Sequence, residues 1–389
     1  MQQADLAQAL LEAVRTQRFE QCADAMLGGA AVGLHPNIDL AVAAFPEGEA
    51  PVFANVLFSR EHPQGLIADI AADAGAVRNI AFLADAQDQQ GRSIAWLPGS
   101  DWQRIDWRPL MGTGPQRFVA PYPASLAKLM LLVGVAHLID QGRSSWEQPL
   151  CFQGRARPVG DWAFDMTTIS CNLSTSALVM HLHDCGAIRR DAGVETQNEL
   201  HQLFEAYGLS GLRFANTCAD GGWGNAAGSG VGHLQMTAWD SLRLLWLLDP
   251  QAPAAPWLPP TQPALLAASL DHVLYCLNEQ KLHQVLSSSS LTAIPGWVAG
   301  LPARLPERWA AGKAQVGELR FAHKTGNTEN YSADAGIVQG ITPARRHYLI
   351  ALTSNLGRRY ADDPRAVSPW RLPALGAMID TKLKDWMSC

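Results

Sequence analysis

The stretch LMLLVGVAHLI, beginning at Leu129, is the part of this chain least able to face water. From Ser125 to about Gln141 its apolar spacing is helical. The run is shorter than the roughly 18 consecutive apolar residues of a membrane span, so it predicts a buried core helix. A helix that is apolar on most sides must be enclosed by other elements. The Pro-rich PYPASLAK in front of it marks the helix start and carries Ser125 three residues ahead of Lys128.

At 389 residues the chain can form one large domain or two ordinary ones. Its 30 basic and 36 acidic residues give a formal charge of -6, and no Lys/Arg run stands out. An electrostatic footprint for nucleic acid is therefore absent, and the expected partner is a small molecule or peptide, with no nucleic acid and no membrane. The composition is silent on oligomeric state. Seven cysteines are scattered without CxxC pairs, which fits reduced thiols better than a disulfide or zinc framework; no metal and no cofactor are expected. The opening MQQADLAQALLEAVRTQRFEQ is amphipathic and carries Asp5 and Glu12, unlike a secretory signal, so a cytoplasmic location is expected.

Residues 5 to 18 read as a helix with Leu6, Leu10 and Val14 on one face. IDLAVAAF and VFANVLFS read as strands, expected in a small accessory piece over residues 1–70, with the main domain over 71–389. VRNIAFLADAQDQQGRSIAWLPGSDWQRIDW sets two apolar segments around QDQQGR and predicts an antiparallel hairpin. Beyond the core helix, further helices are predicted at 173–184, 196–208 and 237–249. The Gly-rich FANTCADGGWGNAAGSGVGHL is loop, and helical patterns resume at Leu265. ADAGIVQGI and HYLIALTSN are strand-like, and a last helix begins near Pro373. This order predicts an α+β fold: an antiparallel sheet assembled from both chain ends beside a helical subdomain over about 125–310.

Serine becomes a useful nucleophile only when a neighbouring base takes its proton. One helical turn puts residues i and i+3 on the same face, so Lys128 can serve Ser125. That lysine must be neutral, and burial by the apolar run supplies a way to lower its pKa. The bland alternative, two first-turn residues of an amphipathic helix, stays open on this motif alone. Two further motifs follow in order: Ser170-Cys171-Asn172 ahead of a helix, and Lys324-Thr325-Gly326 at the end of a strand before a turn.

Together these residues resemble the S-x-x-K, S-D-N and K-T-G set of the penicillin-recognising serine hydrolases, in particular class A β-lactamases and related penicillin-binding proteins. The resemblance covers roughly residues 75–385. It extends to IPGWVAGLPARLPERW before the KTG strand and to LQMTAWDSLRLLWLL, similar to a family helix that begins after a Thr-rich turn. It implies a β-lactamase/transpeptidase-like fold in which Ser125 forms an acyl-enzyme and Lys128 takes or relays its proton. Ser170 would pass that proton to the leaving nitrogen, Asn172 would hold the substrate amide and Lys128, and Lys324 and Thr325 would bind a substrate carboxylate. Gly326 would leave room for substrate along the strand edge. Backbone N–H groups of Ser125 and Asn327 would form the oxyanion hole.

The chain departs from the class A pattern in two places. Cys171 stands where those enzymes usually have Asp, and is read as a structural cysteine. Between Tyr207 and Pro306 the only Glu is Glu279, too late for the Glu that activates the deacylating water. Asp220, with Asn225, and His233 are the candidate replacements, each with a plain structural alternative. The expected function is a serine hydrolase acting on an amide, ester or β-lactam through an acyl-enzyme, with efficient β-lactam hydrolysis in doubt. The alternatives are a protein that acylates without turnover and a glutaminase-like amidase. Trp223, Trp297 and Trp309 are candidates either for lining an acyl pocket or for packing.

Overall fold

A computed structural model describes residues 2–85, 100–223, 233–259, 263–310, 317–341 and 346–387. Two strands near the N-terminus, β1 (Ile38–Ala44) and β2 (Val52–Phe58), are apolar almost without alternation. Such strands belong in a sheet covered on both faces. They lie in a six-stranded antiparallel sheet that also contains β3 (Leu66–Ile67) and three C-terminal strands, β7 (Leu319–Asn327), β8 (Ser332–Gly340) and β9 (His347–Ser354). The order is β7-β8-β9-β1-β2-β3, so β9 and β1 join the two chain ends, with Ile350 opposite Val42.

Successive side chains alternate between two cores. Leu40, Val42, Phe321, Val338 and Ile350 face a layer formed by α1 (Gln3–Gln17) and the C-terminal helix, Arg371–Met387. Ala41, Ala43, Ala322, Ala335 and Leu349 face the helical subdomain. Leu6, Leu10, Leu11 and Val14, one stripe of α1, are buried in the first core. The predicted sheet from both chain ends is present, but the boundary near residue 70 is corrected. Residues 38–58 are central strands, and residues 1–70 are not an accessory unit. Their unbroken apolar pattern is the physical reason, since an appended piece could not cover both faces.

The predicted hairpin before Ser125 is replaced by a three-stranded sheet. β4 (Ile80–Ala84) pairs antiparallel with β5 (Pro109–Met111) and parallel with β6 (Gln116–Ala120). The second arm expected around residues 93–98 lies outside the described residues. After β6 comes a 3₁₀ turn, Ala124–Ala127, and then α2 (Lys128–Asp140), in which residues 128–136 are all buried. The core helix is as enclosed as its sequence requires. Around it stand α3 (Val159–Thr168), α4 (Asn172–Asp184), α5 (Glu199–Ala206), α6 (Ala238–Leu248) and α7 (Ala267–Asn278).

Helix α3 was not expected from the sequence, and the helix predicted over 196–208 starts later. Asn198 accepts from the N–H groups of Leu200 and His201 and so ends the preceding strand and caps α5. No disulfide joins the described cysteines. No helix among the described residues is long and apolar enough to cross a membrane.

Candidate active site

The nucleophile candidate sits where the chain turns from sheet to core helix. Ala124 has a left-handed backbone (φ 50°), Ser125 follows it within the 3₁₀ turn, and Lys128 opens α2. In 3₁₀ geometry residues i and i+3 eclipse, which aligns Ser125 with Lys128. A non-glycine residue held in the left-handed region is strained, and such strain gathers at functional sites.

Ser170 is the second strained residue, with φ 55° in the short turn between α3 and α4. That conformation turns both of its oxygens onto Lys128. Lys128 Nζ donates to Ser170 O at 2.7 Å, to Ser170 Oγ at 3.1 Å and to Asn172 Oδ1 at 2.8 Å. Lys324 Nζ reaches the same Ser170 Oγ at 3.1 Å and Thr325 O at 2.7 Å. One hydroxyl thus joins the amines of two motifs far apart in the chain, and Ser170 itself lies 154 positions before Lys324.

Both lysines are fully buried. Burial pushes Lys128 down from the usual lysine range to about 7, with the nearby Cys171 opposing the shift. Lys324 is also driven well down, by burial first and by Lys128 second, while Asp334 on the neighbouring strand opposes this. The Trp223 ring lies 5.3 Å from Lys128 Nζ and helps exclude water from it. A lysine near 7 is neutral for a large part of the time at neutral pH, as a general base must be.

Strand β7 forms the facing wall and is an edge strand. Thr328 N–H bonds Tyr331 O at the tip of the β7–β8 hairpin. The alternation of an antiparallel ladder then turns the N–H groups of Thr325 and Asn327 away from β8, toward the open edge. Asn327 N–H is thereby available as an oxyanion donor, while its side-chain amide is engaged with Ser332 Oγ at 3.0 Å.

Gly326 also meets a second requirement. A Cβ there would stand 2.2 Å from Pro123 O, 2.6 Å from Leu126 N and 3.0 Å from Ser125 N. The missing side chain makes room for the Ser125 turn itself.

The structure brings together Ser170, Asn172, Lys128, Lys324 and Thr325, and places Gly326 against the Ser125 turn. The two deacylation candidates have partners of their own. Asp220 is exposed and its Oδ1 accepts from Gly222 N at 3.0 Å, a turn-forming bond. His233 is lowered by burial, and the charges acting on it are Arg108, Glu195 and Arg190. Asn225 lies outside the described residues. Glu279 pairs with Arg308 at 3.8 Å. Trp297, exposed, and Trp309, half-buried, donate their indole N–H groups to Ser288 O and Glu279 O. Among the described residues no group of His, Cys, Asp and Glu is arranged to hold a metal ion.

No protein-family model matches this chain, and no curated protein matches it in sequence. Solved structures do. A PBP-A mutant in acyl-enzyme complex with penicillin G is 15% identical over 98% of this chain and 97% of its own, with a TM-score of 0.52. The TLA-1 extended-spectrum β-lactamase is 11% identical over the whole of both chains, with a TM-score of 0.49. A β-lactamase from Sphaerobacter thermophilus DSM 20745 is 14% identical over 68% of this chain and 81% of its own, with a TM-score of 0.43. The first of these shows the fold: this chain has the β-lactamase/transpeptidase-like fold of the penicillin-recognising serine hydrolases.

Proposed function

We propose that this protein is a serine acyl-transferase or hydrolase in which Ser125 attacks an amide, ester or β-lactam carbonyl and carries the acyl group. The observation that supports this best is the single Ser170 hydroxyl held 3.1 Å from Lys324 Nζ and 3.1 Å from Nζ of Lys128, the residue one turn after Ser125. In this reading neutral Lys128 accepts the Ser125 proton. Ser170 relays it to the leaving group, and Asn172 orients both Lys128 and the substrate amide. Lys324 and Thr325 receive an anionic group of the substrate. The N–H groups of Ser125 and Asn327 stabilise the oxyanion, where losing one such donor costs ~2.7–4 kcal/mol.

Slow release of the acyl group is the second reading, and a specific arrangement favours it. No carboxylate among the described residues bonds Lys128, and an indole ring lies over that amine instead. The test is incubation with penicillin G and with a chromogenic cephalosporin, followed by absorbance and intact mass, beside Ser125→Ala. A mass adduct lost in the variant is the expected result. Turnover identifies a hydrolase, and a lasting adduct identifies an acylating protein without efficient hydrolysis. Absence of both adduct and turnover on the parent protein would overturn the reading for β-lactams.

A further inference from the structure

The two walls of the site belong to separate parts of the chain, the Ser170 turn after α3 and the edge strand β7. Their separation decides whether one hydroxyl can reach both amines, so something must set it. Lys128 and Ser170 belong to the helical subdomain, whereas Lys324 belongs to the sheet.

Gln280, two residues beyond the end of α7, is fully buried between these walls. Its Nε2 donates to Thr167 O, in the last turn of α3, at 2.9 Å. The same nitrogen donates to His323 O, the residue before Lys324, at 3.3 Å. Its Oε1 accepts from Leu282 N at 2.9 Å, which fixes the amide's orientation. The next residue adds a bond of its own, Lys281 N to Thr168 O at 3.0 Å. Further on, Leu286 N donates to Asp334 Oδ2 at 3.0 Å, and Asp334 Oδ1 holds His323 Nδ1 at 2.7 Å. The segment from Gln280 to Leu286 is therefore stitched to α3 at one end and to β7 and β8 at the other.

We infer that Gln280 is a positioning residue: its carboxamide spans the gap between the Ser170 turn and the Lys324 strand and sets the distance at which Ser170 Oγ meets both lysines. A primary amide has two N–H donors, and here each meets a buried carbonyl. No apolar side chain can do this, and a carboxylate would set acceptor against acceptor. The ladder alternation explains why His323 O is free to accept, since it points off the same open edge as the Thr325 and Asn327 backbone. Gln280 closes that edge below Lys324 and leaves it open beyond. A misplacement of about 1 Å between reacting groups is enough to cost on the order of 10²-fold in rate.

The proposal rests on the acylation reading for its rate consequence, and on geometry alone for its effect on Lys128. The groups facing Lys128 are Ser170, Asn172, Lys324, Cys171 and the Trp223 ring. If the walls part, water reaches the amine and its pKa climbs back. The test uses the full chain carrying Gln280→Met, which keeps shape and loses both donors, and Gln280→Glu, which keeps the acceptor and loses the donors. Acylation by penicillin G is read by intact mass, and the protonation midpoint of Lys128 by competitive amine labelling with peptide mass spectrometry across neutral to alkaline pH.

Expected are acylation slowed roughly 100-fold at saturating penicillin with little change in half-saturation, and a labelling midpoint raised by about one unit toward the ordinary lysine value. Natively folded variants with the parent's acylation rate and labelling midpoint would overturn the inference. Should Gln280→Met fail to fold, Gln280→Glu is judged by the same two readings. Should penicillin not acylate even the parent, the acylation reading fails, and the labelling midpoint alone still decides for or against Gln280.

Discussion

At the scale of residues, Lys128, like Lys324 beside it, carries a stored burial cost. Burial holds Lys128 near 7 instead of 10.5, so the folded chain binds fewer protons than the unfolded one between those values. The sign follows: the cost is full below about pH 7 and is relieved as pH rises toward 10.5. Lys128→Met should abolish acylation yet raise the melting temperature at neutral pH, with a gain in unfolding free energy on the order of a few kcal/mol. That advantage should shrink in melts taken toward pH 10. For the parent, acylation should rise with pH through about 7 and then level off, because the base works only when deprotonated. Lys128→Arg, permanently charged, should lose about 10²–10⁴-fold in acylation rate measured by adduct formation. A melting temperature lowered by Lys128→Met, or a flat pH profile, would contradict this account of the lysine.

At the scale of elements, the site depends on how closely an edge strand lies against a turn. Gly326 permits that approach, and the atoms a Cβ would meet belong to the backbone of Pro123, Ser125 and Leu126, which cannot swing aside. Gly326→Ala should therefore push β7 off the nucleophile turn. The expected cost is about 1–3 kcal/mol in denaturant melts, with acylation reduced by at least 100-fold. Parent-like acylation in Gly326→Ala would mean that the strand and turn need not touch. The sequence made the KTG legible as a strand end, because its neighbours are apolar and its follower NTEN turns the chain. It gave no sign that the glycine faces the nucleophile turn, since that contact joins residues about 200 positions apart. Gln280 was invisible for the same reason: a lone glutamine after a helix has no local pattern, and its meaning lies in two carbonyls that only packing brings to it.

On the scale of the whole molecule, the first 70 residues hold the sheet together. β1 pairs with both β9 and β2, and Asp39 on β1 accepts from Asn55 Nδ2 at 2.7 Å and from Ala238 N at 2.8 Å. One buried carboxylate thus links the N-terminal strands to the start of α6 in the helical subdomain. Burial raises Asp39 to about 6. Asp24 and Arg359, both buried, form an ion pair between the N-terminal region and the segment after β9. Removal of residues 1–70 should leave an insoluble or unfolded chain, checked by expression and circular dichroism. Leu10→Ala, on the buried face of α1, should cost about 2–5 kcal/mol in denaturant melts. A soluble, cooperatively melting chain beginning at residue 71 would restore the accessory role expected from the sequence.

The sequence by itself determined the elements whose signal is local. The apolar run from Leu129 could only be a core helix, the C-terminal runs could only be strands, and the three short motifs carried the family resemblance before any geometry was known. Tertiary structure decided what depends on distance. It put β1 and β2 at the centre of the sheet, where their apolar pattern needs cover on both faces and the strand that pairs with β1 comes from the far end of the chain. It set Ser170 Oγ between two amines, turned Gly326 toward the Ser125 turn, and engaged Asp220 in a turn of its own. Periodicity travels along the chain and can be read there, whereas a site is made of contacts across it, and those exist only once the chain has closed on itself.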